Sequence, residues 1–162
     1  MWKLRTAFVA LAVLALGAGS AQAQRFGAQV SWADDVDLGI GGRLEYDFGA
    51  SLADEGTLSH TYLIGSFDFF PDCGNDCSYF EFNGNLAVPV NAENSLNPYV
   101  GGGLNMGRIS VGSGSDTQFG LNVLGGLKFT IGKLASFAEA RMELKGESQF
   151  VLTFGVLLGE NR

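Results

Sequence analysis

Proline is scarce in this chain, at three residues of 162, and histidine occurs once, as His60. Basic residues are few as well: ten Lys and Arg stand against 17 Asp and Glu, a formal charge of −7 at pH 7. So acidic a balance excludes nucleic-acid binding, which needs basic patches to displace counterions from phosphate. Two cysteines, Cys73 and Cys77, even joined by His60, fall short of the four Cys or His ligands zinc prefers. No apolar run beyond the first two dozen residues approaches the roughly 20 residues of a membrane-spanning helix. A helical membrane protein is therefore excluded.

What is present begins with a basic start at Lys3 and Arg5, an apolar run from Ala7 to Ala18, and the small-residue segment Gly19-Ser20-Ala21-Gln22-Ala23. The run is too short to span a bilayer, and Ala21 and Ala23 match an A-x-A cleavage site. Residues 1–23 thus read as a secretory signal peptide, with the mature chain starting near Gln24. About 139 residues remain as one domain, 24–162. Loss of Lys3 and Arg5 makes that domain more acidic still, with eight basic residues. Export also sets the redox state: two cysteines on an oxidising route are expected to pair. The Cys73–Cys77 bridge would enclose too few residues to remove much chain entropy, so it would mainly shape its loop.

Glycine is abundant, at 24 residues, and 13 Phe dominate the aromatics. Much Gly with little Pro suits a closed, curved sheet, where Gly relieves crowding at bends. The periodicity agrees. No 3.6-residue repeat persists after the signal, but period-two alternation recurs. Over 37–48, Leu38, Ile40, Gly42, Leu44, Tyr46 and Phe48 share one face, opposite Asp37, Gly39, Gly41, Arg43, Glu45 and Asp47. Phe119, Leu121, Val123, Leu127, Phe129 and Ile131 repeat the pattern, as do Phe150, Leu152, Phe154, Val156 and Leu158. Eight strands are predicted at 25–32, 37–48, 59–70, 79–90, 98–109, 118–131, 136–145 and 148–158, separated by turn-forming residues.

Alternation alone does not say which face looks inward, and a soluble sandwich or lipocalin-like barrel would put the apolar face inside. Two features favour the inverse. The polar face carries Arg43, Glu45, Asp47, Asp68, Glu81, Lys128, Glu139, Arg141, Glu143 and Lys145, both signs together, as a crowded and self-paired interior would. The apolar face runs unbroken over strands of about ten residues, the length that crosses a membrane at a tilt. Phe26, Trp32, Phe48, Phe69, Phe80, Phe119 and Phe150 gather near strand ends, as interfacial girdles do. Eight strands make a barrel that side chains can fill.

With these features the chain resembles the small eight-stranded outer-membrane barrels of the OmpA/OmpX/opacity type. The likeness covers the whole mature chain. It rests on the signal peptide, on Leu38-Gly-Ile-Gly-Gly-Arg-Leu-Glu-Tyr46, on Pro98-Tyr-Val-Gly-Gly-Gly-Leu104, and on a closing pair. That pair is Phe137-Ala-Glu-Ala-Arg-Met-Glu-Leu144 with Phe150-Val-Leu-Thr-Phe-Gly-Val156. The resemblance implies an all-β, antiparallel up-and-down transmembrane barrel in the bacterial outer membrane. Its partners would be outer-membrane lipid and, during assembly, the barrel-insertion machinery. It also implies termini in the periplasm and outward loops near 33–36, 71–78, 110–117 and 146–147. All four are short, which argues against an adhesin. Many family members end on an aromatic residue used in assembly, whereas this sequence ends Leu158-Gly-Glu-Asn-Arg162.

The chemistry-bearing residues give no catalytic or cofactor set. His60 alternates with Tyr62 toward the polar side, where a lone histidine serves as a hydrogen-bonded interior residue. Some eight-stranded barrels are lipid deacylases with a His-Ser pair, but Ser59-His60-Thr61 does not match it, and no nucleophile-base-orienter set assembles. Glu139 and Glu143, flanking Arg141 at about 7 Å per step along one strand face, read as an ion-pair ladder with Arg43, Lys128 and Lys145. Gly101-Gly102-Gly103 lacks the third glycine of a nucleotide loop, Met106 standing there, and no helix follows. Asp34, Asp35 and Asp37 offer too few oxygens for calcium. No cofactor, metal or enzymatic activity is expected. The expectation is a structural or surface-interaction barrel with a polar, salt-bridged, plugged lumen. Its alternatives are a narrow porin-like channel, a lipid-directed enzyme and a soluble periplasmic ligand-binding barrel.

Overall fold

A strand whose side chains alternate at period two has two chemically different faces, and a sheet of such strands is rid of its edges by closing on itself. This chain does so. The computed structural model describes residues 24–47, 49, 57–71, 73, 77–90 and 96–159; the expected signal peptide, 1–23, lies outside them. In order come β1 (Gln24–Ala33), β2 (Asp37–Asp47), β3 (Tyr62–Phe70), β4 (Cys77–Pro89), β5 (Asn97–Val111), β6 (Gly114–Ile131), β7 (Leu134–Leu144) and β8 (Gln149–Leu158). Each pairs antiparallel with its sequence neighbour, and β1 pairs with β8 from Phe26–Leu158 to Ala33–Val151, which closes the barrel.

The apolar face is the outer one. On β2, Leu38, Ile40 and Leu44 are exposed while Arg43 and Glu45 are buried. On β6, Phe119, Leu121, Val123, Leu127 and Ile131 are exposed while Asn122 is buried, and on β8 exposed Phe154 alternates with buried Thr153. A lipocalin-like arrangement would show the reverse. The outer rings concentrate toward the end opposite the termini, where Phe67, Phe69, Phe80 and Phe82 lie 4.7–6.0 Å apart between centroids. Phe48, which the sequence placed among the girdle aromatics, lies outside the described residues.

The inner face fits because small residues sit beside large ones. A Cβ at Gly107, Gly126 or Gly155 would collide with the ring of Tyr79, Tyr99 or Phe137 on the adjacent strand. The glycines thus let aromatic rings lie flat across the inner wall, one reason the chain is rich in both. The end away from the termini is closed by Ala33, Val36, Phe70, Tyr79 and Val151, with Cys73 packed against them.

Most predicted strand ends shift by one or two residues, and the starts of β3 and β6 shift by more. Residues Thr57–His60 form a 3-10 helix, so β3 starts at Tyr62 rather than at 59. His60 is exposed on that helix and is not buried in the bore. The region 110–117 is no loop. Gly112, at φ +54°, makes a two-residue turn, and the strands continue through Val111 and Gly114. Positive φ at the first turn position is the geometry that suits right-handed strand twist, so Ser115 and Asp116, turn formers by composition, are strand residues here. Gly132, at φ +64°, does the same at the opposite end. As a result β6 outruns β7. Their pairing begins at Leu121–Leu144, and Gly114–Gly120 pairs with β5 alone among the described residues.

Candidate functional site: the charged lumen

Inward alternation brings residues from all eight strands into the bore, where burial forces each charge to find a partner. They form two groups. Toward the termini, Arg43 on β2 donates from Nη1 to Glu139 Oε2 at 2.8 Å and from Nε to Glu45 Oε1 at 3.0 Å. Lys128 Nζ on β6 donates to Glu45 Oε2 at 2.7 Å, and Tyr99 donates its hydroxyl to Glu139 at 2.8 Å. The Arg43 guanidinium lies 4.1 Å from the Phe137 ring centroid, and Lys128 Nζ 3.5 Å from that of Tyr62. Aromatic faces thus take the sides of the cations that carboxylates leave open.

Toward the opposite end, Arg141 on β7 donates from Nη2 to Glu81 Oε1 at 2.5 Å and from Nε to Glu143 Oε1 at 2.8 Å. It also faces Asp68 at 3.9 Å and Glu139 at 3.6 Å, the latter joining the two groups. Lys145, just past β7, donates to Glu143 at 2.7 Å, to the Tyr79 hydroxyl at 2.6 Å and to Gln149 Oε1 at 2.8 Å. Asp68 accepts from Gln29 and Ser31, each at 2.8 Å. On the β4–β6 side an amide ladder continues the network. Asn122 donates to Asn83 at 2.8 Å and Asn85 at 2.9 Å, and accepts from Asn105 at 3.0 Å.

Two assignments of charge are corrected. Among the described residues Asp47 does not join the network: it is exposed at the rim, and its Oδ1 accepts the Gly49 N–H at 3.2 Å. Alternation aims it inward, but the strand ends where the bore opens. Arg25, missed by the sequence reading, pairs with Glu45 at 3.0 Å. Its signal was available, since Arg25, Gly27, Gln29 and Ser31 alternate with Phe26, Ala28, Val30 and Trp32. The described network therefore holds five acids (Glu45, Asp68, Glu81, Glu139, Glu143) and five bases (Arg25, Arg43, Lys128, Arg141, Lys145). The sequence reading had six acids against four bases.

Cys73 and Cys77 form a disulfide between the β3–β4 loop and the first residue of β4, with Cα atoms 5.2 Å apart. In the exported protein, reduction should add two hydrogens to the intact mass and expose two alkylatable thiols. Free thiols in the native, unreduced protein would rule out the bridge. In the acidic turn, Asp34 Oδ1 accepts the Phe150 N–H at 3.0 Å, a strand-end contact between β1 and β8.

The comparisons agree on the fold. No family model matches the chain, and no curated protein does. Among solved structures, the N-terminal β-barrel domain of Pseudomonas aeruginosa OprF superposes with a TM-score of 0.61 at 17% identity, over 86% of this chain and 100% of that one. Neisserial surface protein A gives 0.60 at 15% identity, over 87% and 98%. Ail, the attachment invasion locus protein of Yersinia pestis, gives 0.50 at 15%, over 84% and 97%. The fold is that of the small eight-stranded outer-membrane barrels.

Proposed function

We propose that this protein is an integral barrel of the bacterial outer membrane, non-catalytic, with a structural or surface-interaction role and a bore filled by its own side chains. The balanced set of five acids and five bases carries this reading. Charges of both signs, each within hydrogen-bonding or ion-pair distance of a partner, leave this set no unpaired charge to offer a solute, and eight strands leave little room. The outer belt supports membrane insertion, because an aqueous surface would not concentrate Leu38, Ile40, Leu121, Val123 and Phe154 on one side of the sheet. Outer-membrane lipid is then its solvent, and the barrel-insertion machinery its assembly partner.

Two measurements test this together. Outer-membrane fractions run unheated and heated on a denaturing gel should show two mobilities, the compact form disappearing on boiling. Recovery in the soluble periplasmic fraction would reject the membrane reading. In planar bilayers the wild-type protein should give no steady conductance; sustained openings would favour a narrow channel instead.

A further inference from the structure

Among the described residues, the longest stretch of wall that is paired on one side only lies on β6. β6 is 18 residues long and β7 is 11. Beyond the Leu121–Leu144 pair the chain turns through 145–148 into β8, and β6 goes on to Gly114. Over Gly114–Phe119 one side of β6 is bonded to β5, while the other faces no described strand. Successive residues of an antiparallel strand direct their N–H and C=O groups to alternate sides, so from Gly114 to Phe119 the strand presents a row of open donors and acceptors about 17 Å long, ending where Gly120 lies against Leu144 and Lys145. Exposed edges are usually guarded by proline, lysine or a bulge. Gly-Ser-Asp-Thr-Gln-Phe-Gly has no proline, no lysine and a single charge.

The two faces beside this edge differ. Asp116 and Gln118, on the inward side, border a cavity of about 320 Å³ whose other walls include Asp35, Lys145, Glu147 and Gln149. Lys145 is drawn inward by Glu143, Tyr79 and Gln149. Asp35, Asp116 and Glu147 are exposed and take part in no ion pair among the described residues. The cavity is therefore negative beside an open strand edge. On the outward side Phe119 is 74% exposed.

We infer that the open edge of β6 over Gly114–Phe119 docks an extended basic segment of a partner protein as an added strand. Alternate Lys or Arg side chains of that strand enter the Asp35–Asp116–Glu147 cavity, and the intervening apolar ones lie beside Phe119. Main-chain pairing supplies the affinity and the two side-chain rows the specificity, as in other strand additions. A second copy of this chain fits poorly, because its own edge would bring another Asp116 toward the same acids. The inference rests on the surface-interaction reading and names its partner chemistry.

The test uses the whole protein in detergent micelles and a fluorescent eight-residue peptide of alternating Lys and Val. Its control is the fully N-methylated peptide, equal in charge but unable to donate to a ladder. The unmethylated peptide should bind at least about tenfold more tightly than the control, and Asp116→Asn with Glu147→Gln should weaken it about tenfold. A heat-modifiable gel shift in each variant certifies that the barrel is folded. Equal binding of the two peptides, or binding of neither, overturns the proposal. So does oxidative dimerisation of Thr117→Cys that the peptide does not compete away, which would assign the edge to a second copy. Any of these in a heat-modifiable barrel leaves the membrane reading standing, whereas loss of heat modifiability rejects that reading itself.

Discussion

Replacing Arg141 with Met lowers the unfolding free energy of the barrel by about 3–5 kcal/mol, the usual loss when one partner of a buried ion pair is removed. Urea titration in lipid vesicles, followed by tryptophan fluorescence, measures it. Arg141 is 1% exposed and reaches Glu81, Glu143, Glu139 and Asp68. Its half of the bore holds three acids, Asp68, Glu81 and Glu143, against two bases, Arg141 and Lys145. Without Arg141 a single lysine faces three carboxylates in a site water scarcely enters. The other half is arranged differently. Arg25, Arg43 and Lys128 stand there against Glu45 and Glu139, so Arg43→Met leaves the charges matched and should cost less than Arg141→Met. Lys133→Met, in the turn between β6 and β7, should change stability by under about 0.5 kcal/mol. Neutralising the stranded acids with Glu81→Gln and Glu143→Gln in the Arg141→Met background should restore part of the loss. Stability within about 0.5 kcal/mol of wild type for Arg141→Met alone would mean that the ion pairs do not hold the bore together.

Most of this architecture follows from alternation, and the places where alternation fails have physical reasons. Arg43, Glu45 and Leu44 could be sorted to opposite faces from spacing alone, because a one-residue slip would exchange every side chain between faces. Alternation gives a direction but not a depth. Asp47 shares the parity of Glu45, yet it sits two residues farther along, where the bore meets solvent, and it serves a turn instead. Turn composition misled at Gly112–Asp116, because a two-residue turn needs Gly only at its first position and leaves Ser115 and Asp116 free to extend. His60 failed for a related reason: a 3-10 turn at Thr57–His60 has no period-two face on which to place it. Which acid meets which base was beyond the sequence. Arg43 and Glu139 lie 96 residues apart, and only the closed register makes them neighbours.

Val123→Arg should destabilise the barrel in a bilayer by about 2–4 kcal/mol, the range for a cation at the lipid midplane. Val123 is 59% exposed on β6, opposite Gly102 on β5 and Met142 on β7. It lies between Phe119 toward one end of the outer wall and Ile131 toward the other. An arginine at this position cannot join the carboxylates of the bore, because its neighbours Asn122 and Leu124 occupy the inward face. It must either stay in hydrocarbon or stretch toward the headgroups, and both cost free energy. Val111 provides the control. It is 52% exposed at the tip of the β5–β6 hairpin, beyond the last β6–β7 pair, where arginine would meet water. Val111→Arg should therefore be nearly neutral, within about 0.5 kcal/mol. A barrel surrounded by water would treat the two substitutions alike, since both would place a charge on an already exposed site. The difference between them, measured in the same vesicles, thus reports whether lipid surrounds the wall. Equal and small effects would overturn the membrane assignment while leaving the closed barrel intact.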